Sequence, residues 1–232
     1  MENSPKQSSL YQRVIYFLLG VCFPLLTFIV LAAHVWQQGN GFRWDVSILL
    51  ALHLSAHPIL DVIALAVTPF GVFWGVFPAV ILIGVILFYR RNWRSLVYLV
   101  IVSIGSMLLN RTIKLLFHRA RPQLWELIAP PDLTYAFPSG HAMSSMTFAI
   151  VLTVLMWNTR WRWVTLIATN LFVLVIGWTR LYLGVHYPSD VLAGWSLALA
   201  WTAGITLLVR PQNLAFGNPM YFLKQPETAE KN

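Results

Sequence analysis

Residues 62–89 read VIALAVTPFGVFWGVFPAVILIGVILFY, without a single charged side chain. A helix needs roughly 20 apolar residues to cross a hydrocarbon core of about 30 Å, and this run exceeds that even with Pro69 and Pro78 inside it. Val14 to Ala33 is similarly uncharged, and Ser95–Phe117, Ala142–Met156, Trp163–Thr179 and Val191–Val209 bring the candidate spans to six. Hydrophobic residues make up 58% of the 232 and charged ones only 10%, against about a quarter charged in a soluble domain. The expected fold is an all-α integral membrane bundle of six transmembrane helices with a short extracytoplasmic interfacial helix. It is read as one domain over 1–232, with short cytoplasmic tails at 1–12 and 212–232.

The net charge of +8 follows topology rather than an acidic partner. Lys6 and Arg13 precede the first span; Arg90, Arg91 and Arg94 separate the second from the third; Arg160 and Arg162 separate the fourth from the fifth; Arg210 and Lys224 follow the sixth. All fall on one side, which the positive-inside rule makes cytoplasmic, so the loops after spans one, three and five face outward from a cell (inner) membrane. No soluble stretch is large enough for a nucleic-acid reading domain. Cys22, the one cysteine, permits neither an intramolecular disulfide nor a multi-cysteine metal site. The first span reads as an anchor, since it lacks a clear small-residue cleavage site.

After a turn at Gln37 to Gly41, Phe42 to His57 carries Val46, Leu49, Leu50 and Leu54 at roughly helical spacing. It reads as an outer surface helix that connects two spans, or alternatively guides lipid toward a site. The outer loop His118 to Gly140 contains Pro122, Pro130, Pro131 and Pro138, which exclude a continuous helix and suggest an ordered cover or a lid. Trp36, Trp44, Trp93, Trp157, Trp161 and Trp163 near span ends fit an interfacial belt; Trp125 and Tyr135 in the outer loop are weaker candidates for substrate contact.

Ionisable side chains are costly in a membrane, and they concentrate at the outer ends of three spans. The first group is Lys114-Leu-Leu-Phe-His-Arg-Ala-Arg121-Pro122. Seven residues is about two helical turns, so Lys114 and Arg121 are expected on one face, with Pro122 ending the helix. Such a pair can clamp phosphate oxygens, or it can simply snorkel to headgroups. The second is Pro138-Ser139-Gly140-His141, where free amides at a helix N-terminus attract an anion; an ordinary capped turn is the plainer alternative. The third is Thr179-Arg180-Leu-Tyr-Leu-Gly-Val-His186-Tyr-Pro-Ser-Asp190. Asp190 can accept from one nitrogen of His186 and leave the other lone pair aimed at phosphorus, or the two can merely tie down a loop.

In this order the three segments, Lys-x6-Arg-Pro, Pro-Ser-Gly-His and Arg-x5-His-x3-Asp, resemble the type-2 phosphatidic acid phosphatase family. The resemblance implies that Lys114, Arg121 and Arg180 hold a phosphate with help from Ser139 and Gly140. It further implies that His186 forms a phosphohistidine, that Asp190 orients it, and that His141 protonates the leaving oxygen. Members of that family work without a bound metal, so no cofactor is expected. Thr179 stands where the family commonly has serine. The implied function is hydrolysis of the terminal phosphate of a bilayer lipid, with no obligatory protein partner. Phosphatidic acid, phosphatidylglycerol phosphate and undecaprenyl diphosphate all fit motifs that address the phosphate rather than the tail. A phosphotransferase is the rival enzyme, and a lipid or anion transporter the rival of another class.

Two further groups receive no catalytic assignment. His53 and His57, four apart, are an incomplete metal pair on one helical face. His118, Arg111 and Arg119 flank the first motif and are expected to meet headgroups.

Overall fold

The computed structural model describes residues 5–38, 42–126 and 134–209, which form helices and turns with no strand among the described residues. The expected tail at 212–232, the cations Arg210 and Lys224, residues 39–41 of the expected turn and residues 127–133 of the outer loop lie outside the described residues.

Helix α1 (Pro5–Phe17) runs through a π turn at Leu18–Cys22 into α2 (Phe23–Gln38). Pro24 explains the wider turn: it has no N–H to donate and its ring crowds the preceding carbonyls, so the helix relaxes just before it. Helix α3 (Arg43–Leu54) follows. The expected helix to His57 stops short, because His57 is the N-cap of the next helix and its Nδ1 accepts from the Ile59 N–H at 3.3 Å. His53 and His57 therefore do not share a helical face.

The opening run forms α4 (Pro58–Val67), a 3₁₀ turn at Thr68–Gly71 and α5 (Val76–Tyr89). Pro69 breaks the regular ladder in mid-crossing, and the break turns Thr68 and Gly71 inward. A Cβ on Gly71 would stand 2.8 Å from Ile176 and 3.2 Å from the His141 ring. Helices α6 (Trp93–Phe117), α7 (Gly140–Met156), α8 (Arg162–Tyr182) and α9 (Pro188–Val209) complete the order.

Among the described residues, five stretches are long and apolar enough to cross a membrane: Tyr11–Gln37, Pro58–Tyr89, Trp93–Phe117, Arg162–Tyr182 and Pro188–Val209. The sixth expected span is the shorter apolar helix Gly140–Met156, whose 17 residues rise only about 25 Å. It is short because its N-terminus lies inside the bundle, at the fully buried Ser139, rather than at the surface.

Helix α7 packs on α6, α8 and α9, and α2 covers the far side of α9. Leu87, Tyr98, Leu99, Val102, Val151 and Leu155 form the core at one end of the bundle. At the other end Leu31, Ala32, Val35, Phe137 and Ala193 close beneath the site. Outward faces are apolar, as Ile167, Leu171 and Leu174 on α8 illustrate. Water penalises such a surface and hydrocarbon does not, so this is a multi-span membrane protein.

Candidate active site

The three motif segments converge at the N-terminus of α7. Helix α6 ends at Phe117 because His118 takes the left-handed conformation, φ 47°, and its N–H closes on the Lys114 carbonyl at 3.1 Å. This corrects the expectation of a helix to Pro122 with Lys114 and Arg121 on one face: Lys114 is helical and Arg121 belongs to the loop. The reversal at His118 serves Arg119, which turns into the interior. Arg119 is 2% exposed, so it meets no headgroup.

The loop returning to α7 is stitched at successive positions. Arg121 Nε donates to the Thr134 carbonyl at 2.9 Å, Lys114 Nζ donates to the Tyr135 carbonyl, and the Ala136 N–H donates to the Arg119 carbonyl at 2.9 Å. Asn110 Nδ2 donates to the Pro138 carbonyl at 3.2 Å, and the Ser139 N–H to the Asp190 carbonyl at 3.0 Å. The described part of the loop is thus an ordered cover. Ser139 is the N-cap of α7, yet its hydroxyl makes no capping bond and is buried without a hydrogen-bond partner. The first amides of α7 lack intrahelical acceptors, as at any helix N-terminus.

Helix α9 comes close to this turn only because residue 194 is glycine: a Cβ there would lie 2.7 Å from the Ser139 carbonyl oxygen. The turn carrying His186 also depends on a glycine. Gly184 has φ +66°, in the left-handed region, and the indole of Trp125 lies against it, backed by the ring of His53 at 4.2 Å. Trp125 and His53 therefore buttress the turn.

His186, 1% exposed, is held between two groups. Its Nε2 lies 3.2 Å from Arg121 Nη1, which also donates to the Val185 carbonyl at 2.8 Å. Its Nδ1 lies 3.5 Å from Asp190 Oδ2, within ion-pairing distance though not aligned as a hydrogen bond. Burial, then the positive charges of Arg121, Arg180, Lys114 and His141, hold the imidazole well below its ordinary pKa. The imidazole is therefore held neutral, with Nε2 facing the Arg121 guanidinium. Arg180 is anchored by Nη1 donating to Thr68 Oγ1 at 2.8 Å, and Thr179 Oγ1 lies 3.2 Å from the same hydroxyl. The threonine in place of serine is fully buried and keeps this contact.

Asp45, which drew no assignment from the sequence, and Arg119, which was expected at headgroups, both lie beside Asp190. Asp45, in the first turn of α3, and Arg119 are both buried, with Arg119 Nη2 3.2 Å from Asp45 Oδ2 and Arg119 Nη1 paired with Asp190 Oδ1. Scarcity was the available signal. The chain has only eight acidic residues, and among the described helices they are Asp45, Asp61 and Asp190. A carboxylate in such an apolar setting calls for a partner. Asp61 has one as well, accepting from the Tyr182 hydroxyl at 2.6 Å. The groups facing His186 are mostly cations, a donor set that suits a phosphate and repels a metal ion.

A model of the PAP2 superfamily matches residues 95–214, which include all three motifs. The chain belongs to the PAP2 superfamily. It is similar to phosphatidylglycerophosphatase B of Bacillus subtilis, 29% identical over 75% of this chain and 87% of that protein. It also resembles the undecaprenyl-diphosphatase of Sulfolobus acidocaldarius, 25% identical over 80% and 88% of the two chains. Among solved structures, the transmembrane PAP2-type phosphatidylglycerolphosphate phosphatase of Bacillus subtilis superposes with a TM-score of 0.69 at 27% identity, covering 83% of this chain and 94% of that one. Aquifex aeolicus LpxE does so with a TM-score of 0.59 at 26% identity, covering 72% and 96%. This PAP2 chain is accordingly a membrane phosphatase by family and by fold.

Proposed function

We propose that this phosphatase hydrolyses the terminal phosphate of a bilayer lipid through a phosphohistidine on His186, at the extracytoplasmic face of a cell membrane. The observation that carries the reading is the setting of His186, with Nε2 toward Arg121 at 3.2 Å and Nδ1 toward Asp190 at 3.5 Å. In this reading Nε2 attacks phosphorus while Asp190 steadies the imidazolium that develops. Lys114, Arg121 and Arg180 take the phosphoryl oxygens, with the Ser139 hydroxyl and the Gly140 end of α7 completing the cage. His141 gives its proton to the departing lipid oxygen. It then takes one from the water that attacks the phosphohistidine, returning His186 to its starting state and releasing phosphate.

The named relatives act on phosphatidylglycerophosphate and undecaprenyl diphosphate, which supports a lipid phosphate or diphosphate as the substrate here. The basic connections at Arg90, Arg91 and Arg94 and at Arg160 and Arg162 lie opposite the motif end, which supports cytoplasmic termini and an outward-facing site.

The test is phosphate release in mixed micelles from phosphatidic acid, phosphatidylglycerol phosphate and undecaprenyl diphosphate, comparing the native protein with His186→Ala. Release is expected from at least one lipid and should vanish in a variant that remains folded. Near-native turnover by His186→Ala would remove the nucleophile assignment.

A further inference from the structure

Helix α3 lies outside all three motifs and outside residues 95–214, yet it sends a fully buried carboxylate into the centre. We propose that Asp45 and Arg119 are positioning residues for phosphoryl transfer, forming a buried Asp45–Arg119–Asp190 chain that holds the Asp190 carboxylate at one angle to His186. This rests on the reading of Asp190 as the group that orients the nucleophile.

A carboxylate can rotate and present either oxygen. Asp190 cannot, because each oxygen has its own partner. Oδ2 accepts from the Tyr187 N–H at 2.9 Å and faces His186, while Oδ1 is taken by Arg119 Nη1. The guanidinium is itself fixed. Nη1 also donates to Ser189 Oγ at 2.9 Å, Nη2 donates to Asp45 Oδ2 at 3.2 Å, and the plane lies over the Tyr187 ring, 4.4 Å from its centroid. Asp45 is held in turn by the Ser189 N–H at 2.8 Å, the Ser189 hydroxyl at 2.6 Å and the Phe42 N–H at 2.9 Å. The α3 carboxylate thus caps the start of α9 at the residue next to Asp190.

The chain also sets charge. Two carboxylates and one guanidinium leave one negative charge on the Asp190 side of His186, opposed by Arg121, Arg180, Lys114 and His141. Arg119→Gln removes the cation and leaves two negative charges. Asp45→Asn leaves none, and the double variant restores one. Arg119→Lys keeps the charge and loses the planar fork.

The experiment is phosphate release by the full chain across pH, with phosphatidic acid in mixed micelles. The variants are these four plus Asp190→Asn, each checked for monodispersity and thermal unfolding. Displacing a reacting group by about 1 Å costs about a hundredfold, so kcat should fall by roughly that factor in Arg119→Lys and Asp45→Asn with KM little changed. The acid limb of kcat/KM should move up in Arg119→Gln and down in Asp45→Asn. It should return to the native position in the double variant and stay in place in Arg119→Lys. A merely structural role does not produce opposite shifts.

Native kcat in folded Asp45→Asn and Arg119→Lys, with an unmoved acid limb in Asp45→Asn, would overturn the proposal. If Asp190→Asn is impaired in that case, the positioning chain alone fails; if Asp190→Asn is also native, the orienting role of Asp190 fails with it. Should Arg119→Gln not fold, Arg119→Lys and Asp45→Asn decide the matter.

Discussion

Gly194→Ala tests the packing that sets the Ser139 turn, where the proposed phosphate cage lies. The new Cβ would sit 2.7 Å from the Ser139 carbonyl oxygen, 3.2 Å from the Ala142 Cβ and 3.2 Å from the Met143 nitrogen. Carbon–oxygen contacts settle at about 3.3–3.6 Å, so α9 and the Ser139 turn must separate by about 0.6 Å. The obstacle is backbone and cannot rotate aside. Overpacking of this kind costs about 1–3 kcal/mol, and a shift of this size at a reacting centre costs ten- to a hundredfold in rate on the scale of about 10² per ångström. Gly204→Ala in the same helix is the control, because nothing lies within 4 Å of its Cβ. That substitution should leave kcat unchanged, with stability equal or higher by about 0.5–1 kcal/mol from helix propensity. Thermal unfolding and kcat for phosphate release measure both variants. If Gly194→Ala keeps native kcat while its melting temperature falls, the position of the Ser139 turn does not govern catalysis. If neither changes, α9 and the turn do not meet as described.

Three further outcomes follow from the site. Burial, then the surrounding cations, hold the His186 pKa well below 6.5, so an acid limb of kcat/KM set by its ionisation should lie well below that pH; a limb at 6.5 or above would show that burial and the cations do not act on it in this way. The same shift has a sign for stability. Below 6.5 the unfolded chain takes up a proton that folded His186 refuses, so its contribution is full above 6.5 and is lost as pH falls toward the lowered pKa, readable in melting temperature against pH. If Lys114, Arg121 and Arg180 supply the positive charge, as proposed, a chelator should leave phosphate release intact; a loss restored by one divalent metal would contradict the proposed cage.

Much of the fold is legible in the sequence. Uncharged runs such as 62–89 announce membrane helices because hydrocarbon excludes charge, a rule that acts locally along the chain. The segments that carry Lys114, Arg121, Ser139, Arg180, His186 and Asp190 stood out in the sequence because ionisable side chains are rare in and beside membrane spans, and the structure brings these segments together. The errors share one cause. The ends of α3 and α6 and the inward turn of Arg119 are set by partners distant in sequence: Tyr182 holds the His57 N–H at 3.1 Å, and Asp45 and Asp190 draw in Arg119. Periodicity carries no information about such partners.

The sequence by itself determined the spans and the residue types that can hold and attack a phosphate, because burial of apolar side chains and the cost of charge act residue by residue. Only the tertiary structure decided that α3 belongs to the site, that Gly194 sets the approach of α9, and that Asp190 shares its carboxylate between His186 and Arg119. Those depend on which helices meet, and a buried charge takes its orientation from the neighbours that replace its water.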